Sequence, residues 1–472
     1  MIPQLARLLA PAAPPVRIGI VGCGISGAAA AIAIARRMSG PTELVIADAS
    51  GHFGPGFAHG PAAGRGELLN VRARDLSMVP DAPGDFTNWL AGQAAGRDDA
   101  APESFQPRAT FGRYAGERLR EALSGSRNVA TTLLTDEAVA AEPAGDRLRV
   151  RFRHHGCQEF DALFVATGYG TREPSLRRLG QDPYRPLDAE MAKAARNALF
   201  VGGGLTMVDS LVNLRRAGFA GAATVVSRHG LLPRPHTPRH ADVKMVDLRE
   251  LKSLSAILRH VRRTEREIAT AGGDWQGVAN AVRCQVQDVW TSFTLADRQR
   301  FLDHLAPYWE NIRHRLPPEL HAELDALPPE VLEGRVLEVR RRGTCQEAIV
   351  EDVRGRLAAR RFDLVFDCTG YRPAVDTPFV QSLVAQGLVM PDPLRMGLAV
   401  ARSGRVRSAG GRSGPPVFAL GPLGRGSLYE ITAVPQIVAQ AAAAAEALSR
   451  LSARGRARHA ASAAPWGLRS FA

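Results

Sequence analysis

The chain has 472 residues, of which 45% are hydrophobic and 23% charged, enough for two or three domains with large cores. Its net charge of +13 is carried by arginines spread along the sequence, lysine standing only at Lys193, Lys244 and Lys252; no massed basic block marks a nucleic-acid surface. Cys23, Cys157, Cys284, Cys345 and Cys368 form no C-x-x-C pair, which argues against a zinc site, a disulfide framework and a dithiol redox centre.

No apolar run approaches the about 20 residues of a membrane span. The opening MIPQLARLLAPAAPP lacks a basic leading segment and runs straight into a glycine motif. A secretory signal is therefore not expected, and the expected location is cytoplasmic. Val16–Asp48 reads as strand, tight turn, helix, turn and strand. Gly22, Gly24 and Gly27 have the G-x-G-x-x-G spacing, and Asp48 ends the second strand. Gly22 permits the turn, Gly24 lets backbone approach a pyrophosphate, and Gly27 lets helix and strand pack closely. The helix start, Ile25 and Ser26 included, offers free N–H groups to phosphate. Asp48 is placed to accept from ribose hydroxyls.

A long loop from Gly51 to Leu90 follows, rich in glycine and proline yet carrying Phe53, Phe57, Leu68, Leu69, Val71 and Trp89 among other apolar residues. Such a loop is expected to fold over a ligand. A helix is expected over Phe111–Leu123, then strands at Asp146–Phe152 and Phe160–Thr167. A second unit opens at Asn197 with a strand, Gly202, Gly203 and Gly204, a helix over Thr206–Arg216 and a strand over Ala223–Val226. Met207 stands where the first unit has Gly27. The second strand ends in Ser227-Arg228 rather than in an acid, which suits the 2′-phosphate of NADP.

Val243–Leu327 is helical in pattern, with a solvated arginine- and histidine-rich face. Strands return at Arg335–Val339, Ala348–Val353 and Phe362–Phe366. LFVATGYG thus recurs as LVFDCTGY, an internal repeat of two nucleotide-binding units. A last strand, Val417–Leu420, meets Gly421-Pro422, and Pro435 opens an alanine-rich helix. The final residues read as a surface tail.

GCGISG, GFAHG with LLNVRARDLSM, GGGLTMVD with SRHGLLPR, DRQRFLDHLAPYWENIRHRLPP and LGPLGRGSLYEITAVPQI occur in that order. In these motifs the chain resembles the bacterial FAD/NAD(P)-binding oxidoreductases of the YdhS-like group, relatives of the two-dinucleotide-binding flavoprotein monooxygenases. The resemblance implies FAD on the first unit and a nicotinamide cofactor, here NADPH, on the second. It departs at Arg72 and at Phe57-Ala58-His59, where the group tends to have proline and an Ala-Tyr pair. Gly421-Pro422 stands where many flavoproteins have Gly-Asp.

The expected architecture is α/β with two Rossmann-type, three-layer dinucleotide-binding domains. Residues 14–190 and 376–452 form a discontinuous FAD domain, 197–375 the NADPH domain with a helical insert over about 240–328, and 453–472 a tail. Reduced flavin carries negative charge over N1 and O2, so the ring is expected against the turn from Gly421 to Ala433, at the start of the last helix. Leu69 and Asn70 are candidates to face it. His59 and Glu430 are candidate acid–base or substrate contacts, although Asn70 fits a loop cap, His59 an exposed ring and Glu430 a helix-dipole partner equally well. The leading functional expectation is an NADPH-dependent monooxygenase of a small molecule, with O2 as acceptor. A flavin oxidase or dehydrogenase with a vestigial nicotinamide unit, which Met207 favours, and an RNA-associated flavoprotein are the alternatives; the oligomeric state is open.

Overall fold

The computed structural model describes residues 14–60, 67–93, 101–169, 180–238, 246–251, 253–370, 373–411 and 414–462. The opening segment, Tyr371 of the second Thr-Gly-Tyr and the end of the tail lie outside them. In chain order the strands are β1 (Val16–Val21), β2 (Thr42–Ala47), β3 (Val129–Leu134), β4 (Ala138–Ala144), β5 (Arg147–Phe152), β6 (Cys157–Phe160) and β7 (Ala162–Val165). β8 (Asn197–Val201), β9 (Ala222–Ser227), β10 (Glu330–Arg342), β11 (Cys345–Asp352), β12 (Leu357–Phe362), β13 (Leu364–Asp367) and β14 (Val417–Ala419) complete the set.

The first sheet has the order β14-β7-β1-β2-β3 and all its pairs are parallel. The C-terminal strand β14 pairs with β7, so a chain that left the sheet at residue 165 returns to its edge after 417. The helix Ile25–Arg37 crosses this sheet with Ile25 through Ala35 all buried. Its alanines pack against the helix Arg108–Gly125 and the last helix, Val434–Ser462. The alanine-rich sequence is what allows three helices to meet so closely. The second sheet, β12-β11-β10-β9-β8-β13, is parallel from β10 to β13 and is extended by the antiparallel hairpin β10–β12.

The internal repeat holds at the level of single hydrogen bonds. The Gly22 N–H donates to Ala47 O (2.8 Å) and the Gly202 N–H to Val226 O (2.8 Å). The expected strands Phe160–Thr167 and Phe362–Phe366 are each broken by an aspartate. Asp161 accepts from the Arg17 N–H that opens β1 (2.7 Å), and Asp363 from the Arg196 N–H just ahead of β8 (2.8 Å). Phe160 and Phe362 therefore end antiparallel strands, and the parallel ones begin after the aspartates.

Between the halves stand the insert helices Leu254–Thr270, Trp275–Ser292, Leu295–His304 and Ala306–Arg313. Ser253, Asp274 and Thr294 cap the first three by accepting first-turn N–H groups. The insert docks onto the segment before the last helix, where Trp290, Phe301 and Tyr429 form one aromatic cluster. Trp290 Nε1 donates to Gly426 O (2.8 Å). Among the described residues no helix is long and apolar enough to cross a membrane.

Candidate active site

The two outer glycines of the first motif are dictated by the protein itself. A Cβ on Gly22, at φ +89°, would lie 2.6 Å from Ala166 O, and one on Gly27 would lie 1.9 Å from Gly22 O. Gly24 differs: its Cβ would meet only Gly56 Cα, at an ordinary 3.5 Å. Protein packing leaves that position open to a side chain, so its glycine is what a ligand pressed against the backbone requires. Gly24 is also the N-cap of Ile25–Arg37; no side chain caps that helix and no acid stands in its first turn. A phosphate fits this donor set.

Asp48 lies beside the turn, where Oδ2 accepts from the Cys23 N–H (2.7 Å) and Oδ1 from Ser50 Oγ (2.6 Å). The Ser50 N–H also donates to Oδ1 (2.9 Å); a carboxylate has about four acceptor sites, so one remains for a ribose hydroxyl. Ser26 is turned toward Gly421, whose Cβ would sit 2.4 Å from Ser26 Oγ. Gly421, at φ +65°, donates its N–H to Gln440 Oε1 (3.0 Å). Leu69 is 7% exposed and belongs to the core of this half.

In the second unit Gly202 repeats the role of Gly22, its Cβ falling 2.7 Å from Cys368 O. A Cβ on Gly204 would meet nothing within 4 Å, and the helix Leu205–Arg216 that it caps has neither a side-chain cap nor a first-turn acid. Met207 is fully buried in the core of this half. Ser227 Oγ is enclosed without a hydrogen-bond partner and lies against Gly203; Arg228 beside it is exposed. An unpaired buried hydroxyl next to a glycine turn fits a nucleotide ribose or phosphate.

A cleft of about 550 Å³ opens between the halves. Asn70, Val71 and Val79 line it from the long loop, Gln276 and Arg283 from the insert, and Gln436 from the last helix. Gln436 Oε1 is buried without a partner. It stands in the first turn of the last helix, a donor-rich place that fits the anionic edge of a reduced flavin. His236 Nε2 contacts the Asn70 carbonyl at 3.0 Å; with the ring neutral, this nitrogen donates. The remaining apolar side chains of the long loop mostly serve the core. Phe86 and Trp89 stack on each other, Phe86 meets Phe111 edge-on and both meet Tyr114 at a tilt. Among the described residues of the loop only those between 70 and 83 line the cleft.

His59 and Glu430 lie elsewhere. The His59 ring packs edge-on to Phe111 with Nδ1 enclosed and unpaired. Glu430, 1% exposed, accepts from Trp309 Nε1 (2.9 Å) and faces Arg313 Nε at 3.1 Å. Neither lines the cleft. Arg315, Gln276 and His236 do; Arg315 falls within DRQRFLDHLAPYWENIRHRLPP, and no motif marks the other two.

Burial, reinforced by neighbouring arginines, pulls both His59 and His236 down to about 3 from an ordinary 6.5. A depressed histidine contributes stability that is complete above the unfolded value and is lost as pH falls through 6.5 toward 3. Between pH 6.5 and 5, before carboxylates titrate, stability is expected to fall by up to about 1.4 kcal/mol per pH unit for each ring. His236→Gln should remove one ring's share of that slope. Urea unfolding at half-unit pH steps checks this; a flat profile for the unmodified protein would refute it.

A family model described as FAD-NAD(P)-binding matches residues 19–170. No curated protein matches the sequence. Among solved structures, ornithine hydroxylase from Pseudomonas aeruginosa is 18% identical, covering 93% of this chain and 99% of its own, with a TM-score of 0.61. L-lysine 6-monooxygenase from Pseudomonas syringae is 17% identical over 92% of this chain and 99% of its own, also at 0.61. Ornithine N-hydroxylase from Kutzneria sp. 744, whose structure holds reduced FAD, NADP+ and L-ornithine, is 12% identical over 93% and 100%, at 0.61. The fold is that of two-dinucleotide-binding flavoproteins, and its first unit matches an FAD/NAD(P)-binding family.

Proposed function

We propose that the protein is an NADPH-dependent FAD monooxygenase of a small molecule, placed within the YdhS-like group and working in the cytoplasm. The observation that carries this reading is the cleft itself. It lies between two dinucleotide-binding units and draws on both halves, with Asn70 on one side and His236 and the insert on the other. When bound, FAD supplies the redox and oxygen chemistry. Gly24 and the first turn of Ile25–Arg37 hold its pyrophosphate and Asp48 its ribose. Ser227 and Arg228 hold NADPH. Residues 14–190 with 376–452, and 197–375, are the corresponding domains.

The chain's own residues divide the remaining work. Val71, Val79 and Pro80 keep water from the cleft. His236 fixes the Asn70 backbone, so that the Asn70 amide is held at the cleft wall. Burial pushes the Cys23 and Cys368 thiols up to about 12, so neither of these two is poised as a thiolate.

Anaerobic titration of the purified protein tests the reading. The flavin absorbance should bleach with NADPH well before NADH, and air should restore it. A flavin that neither nucleotide reduces would overturn the nicotinamide assignment. Arg228→Ala should weaken NADPH binding about tenfold or more, the worth of a charge-assisted phosphate contact, and leave NADH unchanged. Equal losses for both nucleotides would remove Arg228 from the 2′-phosphate.

A further inference from the structure

The loop and the last helix supply the cleft with an apolar stretch, Val71, Val79, Pro435 and Val438, beside the polar Asn70, Asp75, Ser77 and Gln436. Three guanidinium groups meet at the cleft, Arg72 from the loop and Arg283 and Arg315 from the insert; the first two share their carboxylates with other arginines and the third pairs with none among the described residues. Arg72 is 4% exposed; it lies over the Phe105 ring, donates to Thr237 O (2.6 Å) and shares the Glu103 carboxylate with Arg74. Arg283 reaches Glu430 only at 3.6 Å, and Arg313 occupies that carboxylate at 3.1 Å. Arg315, 3% exposed, has no carboxylate within ion-pair distance among the described residues. Its guanidinium is held by neutral oxygens, Gln276 Oε1 at 2.5 Å and Asn280 Oδ1 at 2.7 Å.

Burying a guanidinium without a counter-charge is costly. Burial, the Arg283 charge and the Arg72 charge pull Arg315 down to about 10, against a partial offset from the more distant carboxylates of Asp274 and Asp75. The Nε atoms of Arg283 and Arg315 are both enclosed and unpartnered. His236, kept neutral in the same place, adds no charge that would repel a cation or attract a second anion. A helix packed only for stability would place an aliphatic residue or a carboxylate at these positions. The cost is offset if the cleft receives an anion.

We propose that Arg72, Arg283 and Arg315 form an oxyanion site in the cleft, which holds the carboxylate or phosphate of the substrate while the apolar stretch takes its hydrocarbon part. The substrate class is a small amphipathic acid, with its head at the insert and its body toward the last helix. This rests on the cleft being the substrate site of the proposed enzyme. Arg72 and Arg315 are pre-set by Phe105, Gln276 and Asn280, so an anion enters without ordering long side chains.

The test uses the FAD-loaded protein with inorganic phosphate and benzoate at constant ionic strength, and benzamide as the uncharged isostere. Binding is read from the thermal midpoint and the flavin spectrum. Phosphate and benzoate should bind saturably and benzamide should not. Arg315→Gln and the less buried Arg283→Gln should each weaken the anions about tenfold or more, whereas Arg259→Gln, exposed on the helix Leu254–Thr270, should not. NADP+ should leave the anion affinity unchanged. The site is overturned if neither anion binds, or if Arg283→Gln binds them as the unmodified protein does. Competition with NADP+ would overturn the substrate assignment and give the subsite to a nucleotide phosphate. Reduction by NADPH is scored separately: anion binding to a protein that NADPH cannot reduce sinks the monooxygenase reading and leaves the site standing.

Discussion

Gly27→Ala should yield a protein that is both destabilised and free of flavin, whereas Gly24→Ala should fold normally and bind FAD weakly. The two glycines lie three residues apart, yet they meet different limits. A Cβ on Gly27 would sit 1.9 Å from the Gly22 carbonyl oxygen, and both partners are backbone. Neither can swing aside, so the helix Ile25–Arg37 must lift from β1 and carry the turn with it. Overpacking of this kind costs about 1–3 kcal/mol or more, and the displaced first turn no longer points its N–H groups at one place. A Cβ on Gly24 meets Gly56 Cα at 3.5 Å, and its φ of −73° suits alanine. The thermal midpoint without cofactor should therefore stay near that of the unmodified protein for Gly24→Ala, within the effect of about 0.5 kcal/mol typical of a tolerated substitution. FAD affinity should fall, because the methyl occupies the space where pyrophosphate meets backbone. Unfolding without FAD and FAD titration by flavin fluorescence separate the two effects. A Gly24→Ala variant that keeps full FAD affinity would remove the pyrophosphate from this turn.

The second unit carries Met207 at the register of Gly27. There the methionine fills core space in the cluster of Phe200, Val208 and Leu211. The nucleotide-binding units were legible in the sequence because their determinants are local. A glycine spacing, a strand before it and a helix after it lie within one short stretch. The break of each Phe-Asp run into two strands was not legible, because β6 and β12 differ from β7 and β13 only in their partners. The aspartates Asp161 and Asp363 are the local trace of that change. The cleft was the least legible part, since Arg72, Arg283 and Arg315 come from three distant segments that only the fold brings together. One signal was present: Gln276, Asn280 and Arg283 stand at i, i+4 and i+7 in a helix that otherwise buries Val278, Ala279 and Ala281. A polar stripe of that period next to an apolar one marks a helix that faces something other than solvent.

Glu430→Gln should cost stability first and activity only as a consequence. Glu430 was a candidate for touching substrate because it stands just before the last helix, but its carboxylate is spoken for by the insert. Oε1 accepts from Trp309 Nε1, and Oε2 faces Arg313 and Arg283. Arg313 is itself 6% exposed and turns its other side to Glu310, which also holds Arg425, His314 and the Tyr429 hydroxyl. Two carboxylates thus serve several cations at the seam between insert and last helix, and these partners hold the Glu310 carboxyl well below its usual range. The amide keeps the Trp309 hydrogen bond and removes the charge, leaving Arg313 to compete for Glu310 alone. Breaking a buried ion pair in this way costs about 3–5 kcal/mol. Because the insert carries Arg283, loosening the seam also moves one wall of the cleft. Denaturant unfolding should show the loss in the midpoint, with flavin binding retained on the first unit. At a temperature where the variant is folded, kcat should change little while KM for the substrate rises. A variant of unchanged stability whose kcat falls by orders of magnitude would instead put Glu430 in contact with the reacting atoms. A carboxylate that holds the insert on the cleft predicts the first outcome, since its removal disturbs positions and not proton transfer.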